Sequence, residues 1–209
     1  MLRRQILTSS GALLALALGL PRLVALPGAR AAEDALLDGD RILGQADAGV
    51  TIIEYASLTC PHCATFHRGT LPQVKVNWID PGKARLVYRH YPLDGLALRA
   101  AALSNCFEGE RYFSFLDALF EGQQRWASAA DPLAELGRLA RLAGLDQARI
   151  DACIGDEAEM NRILEGMKVA QKTHDVQSTP TIVVNSRKLT GTMSYEDFDK
   201  VLQDAAAKS

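Results

Sequence analysis

Apolar positions along this chain change their period several times, and each change marks an element. Val50 to Ser57 carries the β-rich run Val50, Thr51, Ile52, Ile53, Tyr55 and predicts a buried strand. Immediately after Cys60-Pro61-His62-Cys63, Ala64 to Trp78 turns to amphipathic helical spacing, and Pro72 inside it predicts a kink. Ala84 to Tyr91 is a second strand, ended by Pro92. From Leu96 to His174 helical spacing takes over: Leu96 to Phe107 and Arg111 to Trp126 are rich in Ala, Leu and Phe at a period near 3.6. Asp131-Pro132 supplies an N-cap with proline at the first helical position, and Gly144 a C-cap. Asp146 predicts a short helix carrying Cys153, and Asp156 with Glu159 forms a capping-box pattern for a helix to Thr173. Strand character returns at Pro180 to Val184, a turn at Asn185-Ser186 and Lys188 to Thr190, which together predict a hairpin. Ser194 with Asp197 caps a last amphipathic helix through Leu202.

The order is strand, helix, strand, a helical block, two strands, helix. Neither β-containing piece offers enough strands to cover a core alone, so the two belong to one α/β unit with helices spliced into it. Residues 50–95 and 175–209 are then the two parts of that unit, and 96–174 the helical insertion. Residues 32–49 are a polar, glycine-containing lead-in, which leaves open whether they add a strand.

The N-terminus changes the picture of where the chain works. Arg3-Arg4 precede an apolar run from Gly11 to Leu20, and small residues follow at Ala29-Arg30-Ala31. Residues 1–31 thus have the layout of a secretory signal cleaved near Ala31. Pro21 and Arg22 stop the apolar run at about half of the ~20 residues a membrane-spanning helix needs. Arg3-Arg4 fits either a twin-arginine or a general secretory leader. Removing the segment takes four arginines and no acid from 23 basic and 25 acidic residues, leaving a net charge of −6. That mildly acidic balance argues against a nucleic-acid partner, which a strongly basic surface would mark.

Four cysteines remain, Cys60, Cys63, Cys106 and Cys153, an even count that favours disulfides in an exported chain. Cys60 stands where a strand gives way to a helix. Backbone N–H groups of a first helical turn lack partners within the helix and can point at its sulfur. Such a position lowers a thiol pKa from about 8.5 into the range of roughly 3.5–7.5. His62 adds a donor or a positive charge beside the same sulfur, and Pro61 suits a turn where its missing N–H costs nothing. Stabilising the thiolate stabilises the dithiol over the disulfide, which makes the disulfide easy to donate and predicts an oxidant. Cys63 would be the resolving partner. The same CxxC is also half of a zinc site, with His67 four residues on, but four ligands are needed and no second CxxC or His pair appears, so no metal is expected. A purely structural bridge over so short a loop would stabilise little.

With these residues in view the chain resembles the DsbA family of bacterial disulfide oxidoreductases. Cys60-Pro61-His62-Cys63 has the dipeptide of DsbA itself, and the match runs over roughly residues 45–205. Val87-Tyr88-Arg89-His90-Tyr91-Pro92-Leu93 resembles the family's following strand. The resemblance implies a thioredoxin fold with an inserted α-helical domain, a Thr179-Pro180 cis-proline dipeptide that faces the sulfurs and pairs with an extended substrate, and a periplasmic location. It also makes Glu54 the family's buried acid. By its own chemistry Glu54 is either a relay for the Cys63 proton or a strand residue whose carboxylate reaches water. His67 and His90 are assigned structural or surface roles. Thr179 stands where the best-studied oxidases have Val, and its hydroxyl is expected to moderate the oxidising power of the site.

If Cys60 and Cys63 pair, Cys106 and Cys153 are left to each other, as in some DsbA-like proteins with a second disulfide in the insertion. Two buried free thiols are the alternative. The function this implies is donation of the Cys60–Cys63 disulfide to thiols of unfolded or reduced exported proteins, by a monomer without a bound cofactor. In the family a quinone-linked membrane oxidase of DsbB type reoxidises the dithiol. The rival readings are a disulfide reductase or isomerase and, from another class, a non-catalytic chaperone or metal carrier.

Overall fold

The computed structural model describes residues 36–37 and 39–208, so the leader expected at residues 1–31 lies outside the described residues. Among the described residues five strands form one sheet: β1 (Arg41–Leu43), β2 (Val50–Ala56), β3 (Ala84–His90), β4 (Thr181–Val184) and β5 (Arg187–Thr190), in spatial order β1-β3-β2-β4-β5. β2 and β3 are parallel, with Glu54 opposite Tyr88, and the other neighbours are antiparallel. Every residue of β2 is buried, because β2 lies mid-sheet with helices on both faces. The Asn185-Ser186 turn joining β4 to β5 holds both residues at positive φ (41° and 68°), the geometry of a tight hairpin.

Alternation along β2 separates the two faces. Val50 and Ile52 pack with Leu86, Ile182 and Val184 against Phe66, Leu71 and Val74 of α1 (Pro61–Val74) and Phe198 and Leu202 of α8 (Tyr195–Ala206). Ile53 and Tyr55 pack on the opposite face with Val87 and Val183 against Ala170 of α7 (Glu157–His174). Between β3 and β4 lie α2 (Gly95–Ser104), α3 (Glu110–Glu121), α4 (Gln123–Ala127), α5 (Pro132–Leu142), α6 (Gln147–Ile154) and α7. Their core, built on Tyr112, Phe115, Leu119, Phe120 and Trp126, is continuous with Cys60, Cys63 and Ala64. The insertion therefore packs directly under the CxxC turn.

The caps are where local chemistry places them. Asp131, Asp146, Asp156 and Ser194 each accept from the N–H three residues on, as does Asp94 at the start of α2. Each such cap stabilises its helix by about 1 kcal/mol. Elsewhere the elements depart from their expected bounds. The lead-in contributes β1, an edge strand too short to show a period. α1 starts at Pro61 rather than Ala64, and it continues past Pro72 into a π-helical turn, Lys75–Ile79, where the Asp80 N–H bonds to the Lys75 carbonyl at 2.8 Å. Proline cannot donate within the helix and crowds the preceding turn, and the wider π turn follows directly. The single helix expected over Arg111 to Trp126 is broken at Gly122 into α3 and α4; a Cβ there would lie 3.2 Å from the Ala118 carbonyl oxygen.

Cys106 and Cys153 are bonded to each other, their Cα atoms 6.3 Å apart, and tie the end of α2 to α6 across 47 residues of sequence. In the chain-entropy picture a loop of that length contributes up to ~4 kcal/mol.

Candidate active site

The end of β2 delivers the chain to Cys60, which is the N-cap residue of α1 with extended backbone (φ −78°, ψ 118°). No side chain caps this helix, so its open N–H groups are left to the sulfur. Cys60 and Cys63 are both free thiols, 5% and 0% exposed. Their environments push them apart. A hydrogen bond from Cys63 is the largest influence on Cys60; burial opposes it, and the Thr179 side chain and the backbone N–H groups of Cys63 and His62 assist, bringing Cys60 down to about 5. Cys63 is driven far above the usual thiol range, first by burial, then by its bond to Cys60 and the charge of Glu54. One sulfur is an anion at neutral pH and the other holds its proton.

The Thr179–Pro180 peptide is cis, and the Cys60 Sγ lies 3.4 Å from the Thr179 carbonyl oxygen, to which it donates only while protonated. The Thr179 hydroxyl is buried and otherwise unpartnered, so the Cys60 thiolate is the acceptor it has to hand. His62 and Pro61 are exposed at the mouth of the site.

Beneath the sulfurs, Glu54 is fully buried, and its carboxylate meets His67 Nε2 at 3.0 and 3.2 Å. The alternative in which Glu54 reaches water does not hold. Nor does a surface role for His67, whose side chain is 4% exposed and whose ring stacks on Phe120 at 3.9 Å. Burial works against charge on His67, but Glu54 and Asp117 outweigh it and raise the imidazole to about 9. His90 is half-buried, within 3.2 Å of Ser104 and Asn105 and 3.1 Å of the Tyr112 hydroxyl, and desolvation lowers it to about 4. Among the described residues no three His, Cys, Asp or Glu side chains form a metal-binding cluster.

Gln123 was not legible as a site residue. From α4 its buried amide donates to the carbonyls of Leu58 at 2.8 Å and Cys60 at 2.9 Å, holding the CxxC turn from the insertion. Nothing in its local sequence signals this, because its partners are 65 and 63 positions away.

A family model described as Thioredoxin matches residues 37–204. The crystal structure of Wolbachia pipientis alpha-DsbA1 superposes with a TM-score of 0.77 at 34% identity, covering 83% of this chain and 94% of that one. The chain belongs to the thioredoxin family, among its DsbA-type disulfide oxidoreductases. Bacillus subtilis BdbD in its oxidised form shares the thioredoxin fold, with a TM-score of 0.71 at 22% identity over 82% of this chain and 95% of that one. A Rickettsia prowazekii relative named as a protein-disulfide oxidoreductase is 26% identical over 170 residues, 80% of this chain. This DsbA-type chain spans only 62% of the length of that relative. The helices between β3 and β4 are the insertion of a DsbA-type thioredoxin fold. Among the described residues no helix is long and apolar enough to cross a membrane.

Proposed function

We propose that this chain is an exported dithiol oxidase that donates the Cys60–Cys63 disulfide to thiols of newly exported proteins in the periplasm, after cleavage near Ala31. The observation that carries this reading is the asymmetry of the two thiols: Cys60 is lowered to about 5 at a helix N-terminus while buried Cys63 keeps its proton. A substrate thiolate attacks the Cys60 sulfur, the S–S bond breaks, and the electron pair leaves on Cys63. A second substrate thiol then resolves the mixed disulfide, and Cys60 departs as the stabilised thiolate. The cis Thr179–Pro180 bond leaves the Thr179 backbone beside Cys60, where an extended substrate strand can pair with it. Glu54, buried below Cys63, relays the Cys63 proton. Residues 50–95 and 175–209 form the redox unit and 96–174 the insertion that supports it. A quinone-linked membrane oxidase of DsbB type returns the monomeric protein to the disulfide.

Thr179 supports a second reading, a reductase or isomerase kept reduced by an electron donor. A hydroxyl able to donate to either redox form contributes only the difference between the two, so thiol acidity alone does not fix the direction. The test is equilibration of the Cys60–Cys63 couple against glutathione. A potential near about −120 mV supports the oxidase, and one near about −270 mV replaces it with the reductase.

A further inference from the structure

Cys63 and Glu54 are both 0% exposed, yet the proposed reaction requires one proton to reach Cys63 each time the disulfide opens and to leave when it closes. Glu54 has no solvent of its own to exchange with. Its partner His67 spans the gap: Nε2 faces the Glu54 carboxylate at 3.0 Å, while the buried Nδ1 has no hydrogen-bond partner and lies 3.7 Å from Asp117 on α3. Asp117 is 67% exposed, and both residues line a groove of about 450 Å³ between α1 and α3. The ring is fixed edge-on to both carboxylates by its stack on Phe120.

We propose that His67 is the proton conduit of the active site, connecting Glu54 and Cys63 to solvent through Asp117 and the α1–α3 groove. The inference rests on the redox reading above. When a substrate thiolate attacks Cys60, its sulfur is oxidised, the Cys60–Cys63 bond is reduced, and Cys63 is released as an anion. A proton entering from the groove by way of Asp117 charges the ring at Nδ1, the imidazolium so formed gives its Nε2 proton to Glu54, and Glu54 gives one to Cys63. The net transfer is one proton from solvent to Cys63, and ring closure runs it in reverse. At 3.7 Å the Asp117 contact is longer than a hydrogen bond; rotation of this exposed side chain or one bridging water closes it. The groups that face His67 are consistent with this role. Glu54 from β2 and Asp117 from α3 favour its charge, Tyr88 from β3 meets it edge-on, Cys63 is one helical turn away, and Arg68, Lys75 and Glu121 line the same groove. Like Glu54, His67 is a positioning residue in the sense that it acts on the sulfur only through another group.

The test is single-turnover ring closure: the Cys60 mixed disulfide with glutathione is prepared, and glutathione release by Cys63 is followed against pH. His67→Gln keeps a donor to Glu54 but cannot cycle a proton. We expect closure to slow by about 100-fold or more, the lower end for loss of a positioned proton-transfer group, with the Cys60 thiolate absorbance retained. The pH dependence should flatten, and imidazole added as buffer should restore part of the rate by entering the groove. Asp117→Asn, an exposed change that leaves the fold intact, should slow closure a few-fold. Closure of His67→Gln at the wild-type rate, or a slowed rate that neither pH nor imidazole moves, would overturn the conduit. If His67→Gln does not fold, an unchanged rate in Asp117→Asn would do the same. Wild-type protein that fails to close the disulfide at all would instead remove the redox reading on which the conduit rests.

Discussion

The acidity of Cys60 has a consequence for stability that is independent of any substrate. Cys60 titrates at about 5 in the folded dithiol protein against 9.0 for an ordinary thiol, so its folded pKa is depressed. A depressed group contributes stability in full above the unfolded pKa and loses it as pH falls through the folded one. At pH 7 only part is present: linkage gives about 2.7 kcal/mol, falling to ~0.2 kcal/mol at pH 4.5. The sulfur lies at the mouth of the site, where water screens some of the charge, so roughly 1–2.5 kcal/mol is the working expectation. The disulfide form has no thiolate and lacks this contribution. Urea unfolding of both redox forms at pH 7 and pH 4.5 isolates it, because Cys63 keeps its proton throughout this range and the remaining titrating groups are common to the two. The dithiol form should lose about 1–2.5 kcal/mol more than the disulfide form on acidification. Parallel losses would refute the reasoning, and with it the claim that the helix N-terminus and its neighbours hold a thiolate.

Two further outcomes follow from residues around the site. His90 is lowered to about 4 by burial against 6.5 unfolded, so acid favours the unfolded chain between those values; His90→Gln, which stays neutral, should spare about 2 kcal/mol of the stability lost between pH 7 and pH 4.5, read by urea midpoints, and an identical loss would mean that His90 charges freely in the fold. Gln123→Leu leaves the Leu58 and Cys60 carbonyls buried without their donor, which should cost about 1–3 kcal/mol for each and shift the Cys60 thiolate titration, whereas an unchanged titration would limit Gln123 to packing.

Much of the chemistry was local and therefore legible. A strand followed at once by Cys60-Pro61-His62-Cys63 on a helix start brings the first sulfur to open N–H groups, because that depends on only a few consecutive residues. Asp131, Asp146, Asp156 and Ser194 announce their helices for the same reason, each cap spanning three residues. Local signals failed where a break or a pairing depends on distant surroundings. Gly122 divides one apolar helical pattern into two helices, and Arg41–Leu43 is a strand only because β3 offers it an edge.

Sequence alone therefore determined the alternation of elements, the caps and the placing of the Cys60–Cys63 thiols at a helix start, since each follows from neighbours within about one turn. Tertiary structure decided what lies beneath that pair. Glu54 and His67 are 13 residues apart on different elements, and neither the β-rich run nor the helical period tells which face of each will meet. The sheet and α1 must be packed before the carboxylate is cut off from water, and α3 must be docked before Asp117 stands beside His67. A buried charge needs a partner, but the fold alone determines which residue supplies it and where its proton can leave.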